Sequence, residues 1–206
     1  MPDYDLDNAY EINGPEEARA LYGDWAETYD ESFGSGWGYI APREVAAAYR
    51  KAMDRDDPLL DIGAGTGLVA EHLRDLTVDA LDITDEMLAV AARKGIYRNL
   101  INADLTQPLD LPDGIYGGVI SCGTFTRGHV GPECLPELLR ITRAGALFMC
   151  GTIAPVLDGL SFGSALARLV AAGRITPVQF HDIPIYEGAD HPHAADRGLV
   201  MEFRKV

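Results

Sequence analysis

The chain has 206 residues, 47% of them apolar and 24% charged, which suits one folded domain with a real core and excludes a disordered chain. Seventeen Lys and Arg face thirty-two Asp and Glu, a formal charge of -15, so the mean field favours solubility and repels nucleic acid. Three cysteines (Cys122, Cys134, Cys150) lack metal-like spacing and read as reduced cytoplasmic thiols; no apolar run nears the roughly 20 residues of a membrane span, and MPDYDLDNAYE has no signal-peptide pattern.

Taken in order, the chain first predicts helices. Residues 1–12 are polar and expected to fray. Gly14-Pro15-Glu16-Glu17 reads as a helix start, with Pro in the first turn and acids at the positive end of the dipole. Ala18 to Phe33 carries Leu21, Tyr22, Trp25, Ala26 and Tyr29 at helical spacing, interrupted by Gly23. Two readings stand for these aromatics: packing on the core, or an N-terminal lid with Tyr22, Trp25 or Tyr29 facing a ligand. Gly34 to Gly38 is a flexible joint. A second helix is expected from Pro42 to Met53 and ends at the run Asp54 to Pro58.

Pro58 to Leu73, PLLDIGAGTGLVAEHL, then reads as strand, tight turn and helix. Gly63, Gly65 and Gly67 allow positive φ and close approach of a ligand, and a helix start beyond them offers unpaired N–H groups. That helix is expected to end near Asp75. A second strand spans Thr77 to Ile83. Thr84 is the expected N-cap of a helix Asp85 to Lys94, which Gly95 stops. A third strand, Tyr97 to Ala103, ends at Asp104. After a surface loop, Gln107 to Gly114, a fourth strand runs Ile115 to Ser121. A glycine-rich loop with His129 leads to a short helix, Pro136 to Thr142, and a central fifth strand, Ala146 to Ile153. A helix Phe162 to Ala172 and two strands, Val178 to Tyr186 and Leu199 to Lys205, close the chain as an antiparallel hairpin. The pattern is a doubly wound α/β sheet with an antiparallel edge.

In such a sheet the ligand sits beyond the carboxyl ends of the strands. Asp82 lies 19 residues beyond Gly63, near the roughly 20 expected of an acid that accepts from a ribose diol. Asp104 suits an adenine amino group, with Leu105 and Met87 lining the ring; its plainer reading is a turn cap. The dinucleotide fingerprint fails, because Leu68 follows Gly67, and there is no phosphate loop and no Lys or Arg in the turn. Asp61, two residues before Gly63, suits a cationic group on the ligand.

DIGAGTG at 61–67 resembles motif I of the class I S-adenosylmethionine-dependent methyltransferases. LDITDEML (81–88), NADL (102–105) and ISCGTF (120–125) continue the series, and LYGDWAETYD and FTRGHVGPE resemble the Williams–Beuren-region methyltransferase-like branch. The resemblance implies a Rossmann-like, mostly parallel seven-stranded sheet in a single domain over 1–206, with a helical lid (1–54) on a core (55–206). It implies that Asp61, Gly63, Gly65 and Gly67 hold the methionine part of S-adenosylmethionine. Asp82 would bind the ribose, Ile83 and Met87 would lie by the base, Asp104 and Leu105 would contact adenine, and Ser121 would sit near the sulfonium. Tyr22 and Trp25 would close over the cofactor. Two departures stand out: Gly117-Gly118 where relatives often carry an acid, and Arg143 to Ala146 where they often carry Pro-Gly-Gly.

The expected reaction is methyl transfer to a small-molecule O, N or S nucleophile, leaving S-adenosylhomocysteine. His129 is the candidate base where the acceptor must lose a proton. Asp190-His191-Pro192-His193 reads as a solvated turn, and no metal, membrane or nucleic-acid partner is expected. The alternatives are a nicotinamide-dependent oxidoreductase and a non-catalytic nucleoside-binding protein.

Overall fold

Leu59–Ile62 forms an inner strand, β1, and all four residues are buried. The computed structural model describes residues 12, 14–54, 57–126, 129–188 and 190–206. Of the stretch predicted to fray, only Ile12 is among them, and it is buried; residues 1–11 lie outside, as does Arg127 of the glycine-rich loop that carries His129.

The elements run α1 (Pro15–Trp25), a π-helical turn (Asp30–Ser35), α2 (Ala41–Ala52), β1, a 3-10 turn (Ala70–His72), β2 (Val78–Asp82), α3 (Asp85–Lys94) and β3 (Leu100–Asn102). Then come β4 (Tyr116–Phe125), a 3-10 turn (Pro132–Cys134), α4 (Leu135–Ile141), β5 (Thr142–Thr152), α5 (Ala154–Gly159), α6 (Phe162–Ala171), β6 (Gln179–Pro184) and β7 (Arg197–Arg204). Seven strands order as β3-β2-β1-β4-β5-β7-β6. The first five pair in parallel, and β7 runs antiparallel to both β5 and β6. This is the fold the sequence predicts. The hairpin folds inward: its second strand, not its first, joins the sheet.

Strand alternation sorts the core into two layers. Leu60, Ile62, Val119 and Phe148 pack toward Leu138 and Leu139 of α4 and Phe162 of α6. Leu59, Ile120, Leu147 and Met149 pack on the other face toward Val45, Ala46 and Tyr49 of α2. Gly118 has a steric role there: a Cβ on it would stand 2.6 Å from the Tyr49 hydroxyl. At this departure it is Gly118 that makes room for the α2 tyrosine.

Several local expectations are corrected. The helix predicted after the glycine turn shrinks to the 3-10 turn; His72 N–H and Leu73 N–H bond three residues back, and Leu73 leaves helical φ/ψ. Only a few residues separate Gly67 from the bend at Leu76, so burial of Val69, Ala70 and Leu73 decides the path rather than propensity. Helix α1 runs through Gly23, where a Cβ would meet the Glu86 carboxylate of α3 at 3.3 Å; the glycine marks close helix packing, not a break. The chain turns after Trp25 instead. Thr84 does precede α3, but no side-chain cap bond forms; the helix ends at Gly95 with φ 61° as predicted. Helix α5 was not foreseen, β5 starts four residues early, and β4 runs on to Phe125 through an irregularity at Gly123, φ 88°.

Candidate functional site

The order in which strands are added reverses beside β1, whose parallel neighbours β2 and β4 lead to opposite halves of the sheet. A cleft opens there, at the carboxyl ends of the strands, where a ligand is expected. Its lining comes from the turn Gly63–Thr66, from Asp82 to Thr84, from Ala103 to Thr106, from Cys122 to Thr124, from His129 and from lid residues Tyr22, Tyr29, Phe33 and Tyr39.

The turn is built for its backbone. Gly63, Gly65 and Gly67 take φ of 60°, 53° and 95°. A Cβ on Gly63 would fall 2.1 Å from Thr124 Oγ1, the hydroxyl that donates to the Ile62 carbonyl. Gly65 faces open space. Asp82 Oδ2 accepts from Gly65 N–H at 2.7 Å and Oδ1 from Thr84 N–H at 2.9 Å, so one carboxylate ties both turns together.

Asp61 is 1% exposed. Its Oδ2 accepts from the Tyr97 hydroxyl at 2.7 Å, and its buried Oδ1 has no partner among the described residues. Burial pushes this carboxyl up to about 7, with Tyr97 opposing and Asp82 adding to the rise. Burial raises Asp82 too. Two desolvated carboxylates with an orphaned oxygen, beside a turn open at Gly65, fit a cationic ligand with an amino-acid end. These residues fit S-adenosylmethionine.

Of the predicted site residues, Tyr22, Gly63, Gly65, Asp82, Ile83, Met87, Asp104, Leu105 and His129 all line the cleft. Asp61 lies behind the turn, and Gly67 packs against Ile96 and Tyr97. Asp104 also caps its own turn, Oδ1 accepting from Thr106 N–H and Oγ1. Two further residues, besides Asp61 and Gly67, are not at the surface of the cleft. Ser121 is fully buried beside its β5 register partner Cys150; because β4 continues past it, Cys122 is the strand residue that faces the cleft. Trp25 is 2% exposed, its indole N–H donates to Ser32 Oγ at 2.7 Å, and it stacks behind Tyr22, so it supports the lid from within.

Sequence reasoning missed four residues. Thr66 donates to Asp30 Oδ1 of the lid at 2.5 Å, and Lys94 pairs with both Asp30 and Glu71. Tyr97 holds Asp61. Tyr39 meets Cys122 Sγ at 3.2 Å, a thiol that burial pushes up to about 12. The one advance signal was Tyr97 itself, an aromatic after the helix-stopping glycine.

His129 is held on both sides. Its Nδ1 lies 2.9 Å from Thr126 Oγ1 and its Nε2 3.0 Å from the Tyr22 hydroxyl. Thr126 donates its proton to the Gly123 carbonyl, so at His129 it accepts, which assigns the proton to Nδ1 and the basic lone pair to Nε2. No Lys or Arg is among the described residues lining the cleft. Among the described residues no three His, Cys, Asp or Glu gather as a metal site, and no helix is long and apolar enough to cross a membrane. His191 contacts the Trp37 carbonyl and ring, and His193 pairs with Asp196.

A family model described as "Methyltransferase domain" matches residues 60–150. Human methyltransferase-like protein 27 is 33% identical over 172 residues, 77% of this chain and 69% of that protein. The Streptomyces fradiae dTDP-3-amino-3,6-dideoxy-alpha-D-glucopyranose N,N-dimethyltransferase is 30% identical over 115 residues, 54% of this chain and 44% of that one. The structure of the Burkholderia thailandensis 1,6-didemethyltoxoflavin-N1-methyltransferase with bound S-adenosylhomocysteine superposes with TM-score 0.62 at 21% identity, covering 95% of this chain and 92% of that one.

Proposed function

The chain belongs to the class I S-adenosylmethionine-dependent methyltransferases, and we propose that it methylates a small, uncharged, flat acceptor held between the lid and the rim of β4 and β5. Bound S-adenosylmethionine supplies an electrophilic methyl group on a sulfonium; this chain aligns a nucleophile with it and excludes water. Asp61 and the Gly63–Gly67 turn would receive the amino-acid end, Asp82 the ribose hydroxyls, and Asp104 with Ile83, Met87 and Leu105 the base.

The observation that carries the acceptor reading is the character of the remaining cleft. Tyr29, Phe33, Tyr39, Tyr186, Ile183 and Ile185 wall it. Burial raises Tyr29 and Tyr39 well above the ordinary phenol range, so both stay neutral and offer hydroxyl and ring faces only. An anionic acceptor finds no cation among the described lining residues, and a polyanion also meets the net charge of -15. The Streptomyces relative is named for a nucleotide-sugar amine, a small acceptor but one whose diphosphate is anionic, so the uncharged and flat character of the acceptor rests on this chain's own lining residues. His129 Nε2 is the basic atom at the mouth of this chamber, and Tyr22 is poised to pass its proton on or to yield its place to the acceptor.

The test uses labelled S-adenosylmethionine with phenols, aromatic amines, carboxylates and tRNA. Label is expected in a neutral aromatic acceptor. Labelling of tRNA or carboxylates alone overturns the acceptor reading. His129→Ala should lower turnover of a phenolic acceptor about 10²- to 10⁴-fold, while S-adenosylhomocysteine affinity falls by no more than about tenfold, the loss of one lid tie. Calorimetry that finds tight NAD binding and none of S-adenosylhomocysteine would sink the whole assignment.

A further inference from the structure

We propose that Tyr97 is a positioning residue for the cofactor: its phenol pins one oxygen of Asp61 and so presents the other to the ligand's ammonium. The inference rests on reading Asp61 as the acceptor of that ammonium.

Tyr97 lies on the segment between α3 and β3, which Arg98 N–H ties to the Val78 carbonyl at the start of β2. From there the side chain reaches under the glycine turn at both ends. At the start, its hydroxyl donates to Asp61 Oδ2 at 2.7 Å. At the end, its ring closes the space behind Gly67: a Cβ there would sit 3.0 Å from Tyr97 Cε2 and 3.3 Å from its oxygen. Ile96 fills the adjacent space at 3.0 Å. One side chain therefore sets the spacing between the buried acid and the last glycine. A carboxylate held through Oδ2 cannot rotate freely, and Oδ1 is left buried without a partner among the described residues.

The surroundings make this hydrogen bond matter. Asp82 on β2 opposes the Asp61 charge. Cys122 on β4 and Cys150 on β5 also face it, and Glu71 beyond the turn faces Tyr97. None of these groups is a cation. Tyr97 is the group among them that favours ionised Asp61, against burial and Asp82. Loss of its hydroxyl raises the acid further and leaves more of it protonated near neutrality. A protonated Asp61 receives an ammonium poorly.

The test is the affinity of S-adenosylhomocysteine for wild type and Tyr97→Phe at pH 6.5 and 8.5. Phe keeps the ring under Gly67. The ratio of dissociation constants is expected to be about tenfold at pH 6.5 and to shrink to about twofold or less at pH 8.5, since one unit of pKa is tenfold in protonation. Titration of the ligand's own amine cancels in the ratio. A ratio near one at both pH values, or equal at both, overturns the proposal. Asp61→Asn separates the two readings: unchanged affinity there removes Asp61 from the ligand, whereas a loss there with none in Tyr97→Phe removes Tyr97 alone. Should Tyr97→Phe not fold, 3-fluorotyrosine at position 97, a stronger donor, must tighten binding at pH 6.5; no change would equally overturn the proposal.

Discussion

Asp61 and Asp79 show what burial does to a carboxylate when its partners differ. Asp79 is 2% exposed, and burial alone would raise it. Bonds from Arg98, Tyr116 and Asn99 nevertheless hold it below its ordinary range. Among the described residues Asp61 has one phenol and no cation as partner, and burial lifts it to about 7. A carboxyl raised on folding binds its proton more tightly in the native state. Its stabilising contribution is full below the unfolded pKa and is lost as pH rises through about 7. The apo protein should therefore melt lower at pH 8 than at pH 5, and Asp61→Asn should flatten that slope and raise the melting temperature at pH 8. The expected gain is on the order of a few kcal/mol. A calorimetric scan in which Asp61→Asn melts below wild type at pH 8 would refute this. The sequence showed Asp61 as a candidate; its missing counter-charge depends on residues from β2, β4, β5 and the Tyr97 segment, which no spacing rule connects.

At the scale of elements, the lid and the turn are joined by charge. Asp30, at the start of the π-helical turn, accepts from Thr66 inside the glycine turn and pairs with Lys94 at the end of α3. Lys94 pairs in turn with Glu71. Tyr22 adds a second tie through His129, and Arg19 a third through the Ile83 carbonyl. Asp30→Ala should weaken S-adenosylhomocysteine roughly three- to tenfold, about 1 kcal/mol, with the Lys94–Glu71 pair intact. Unchanged affinity by calorimetry would show the lid to be independent of the cofactor turn. Helical spacing of Tyr22, Trp25 and Tyr29 was legible. Which of them faces the cleft was not, because the chain turns at Trp25 and swings the helix face.

For the whole molecule, we read the lid and core as one cooperative unit. Ile40 and Ala41 N–H groups both donate to the Ile185 carbonyl beyond β6, and Tyr39 bridges Tyr186. The lid is thus sewn to the last hairpin as well as to the glycine turn. Both tryptophans, Trp25 and Trp37, lie in the lid segment. Tryptophan fluorescence therefore follows the lid, while far-UV circular dichroism follows the entire fold. Denaturant curves from the two probes should coincide. An earlier fluorescence transition would divide the chain into two units.

The sequence by itself determined the parallel half of the sheet, the glycine turn and the cofactor class. The first two rest on signals within a few residues: strand-like runs, glycines that require positive φ, and acids at or just past the ends of the first three strands; the cofactor class rests on the family resemblance that the motif series carries. The tertiary structure alone decided what faces the cleft. Cys122 replaces Ser121 there because β4 runs on past the expected end. The Tyr22–His129 contact spans 107 residues and the Tyr97–Asp61 bond spans 36. The last hairpin inserts β7 rather than β6 beside β5. Such choices follow from which packed arrangement buries the apolar faces and satisfies the buried polar groups together. That balance is settled by the folded molecule and is written in no local stretch of chain.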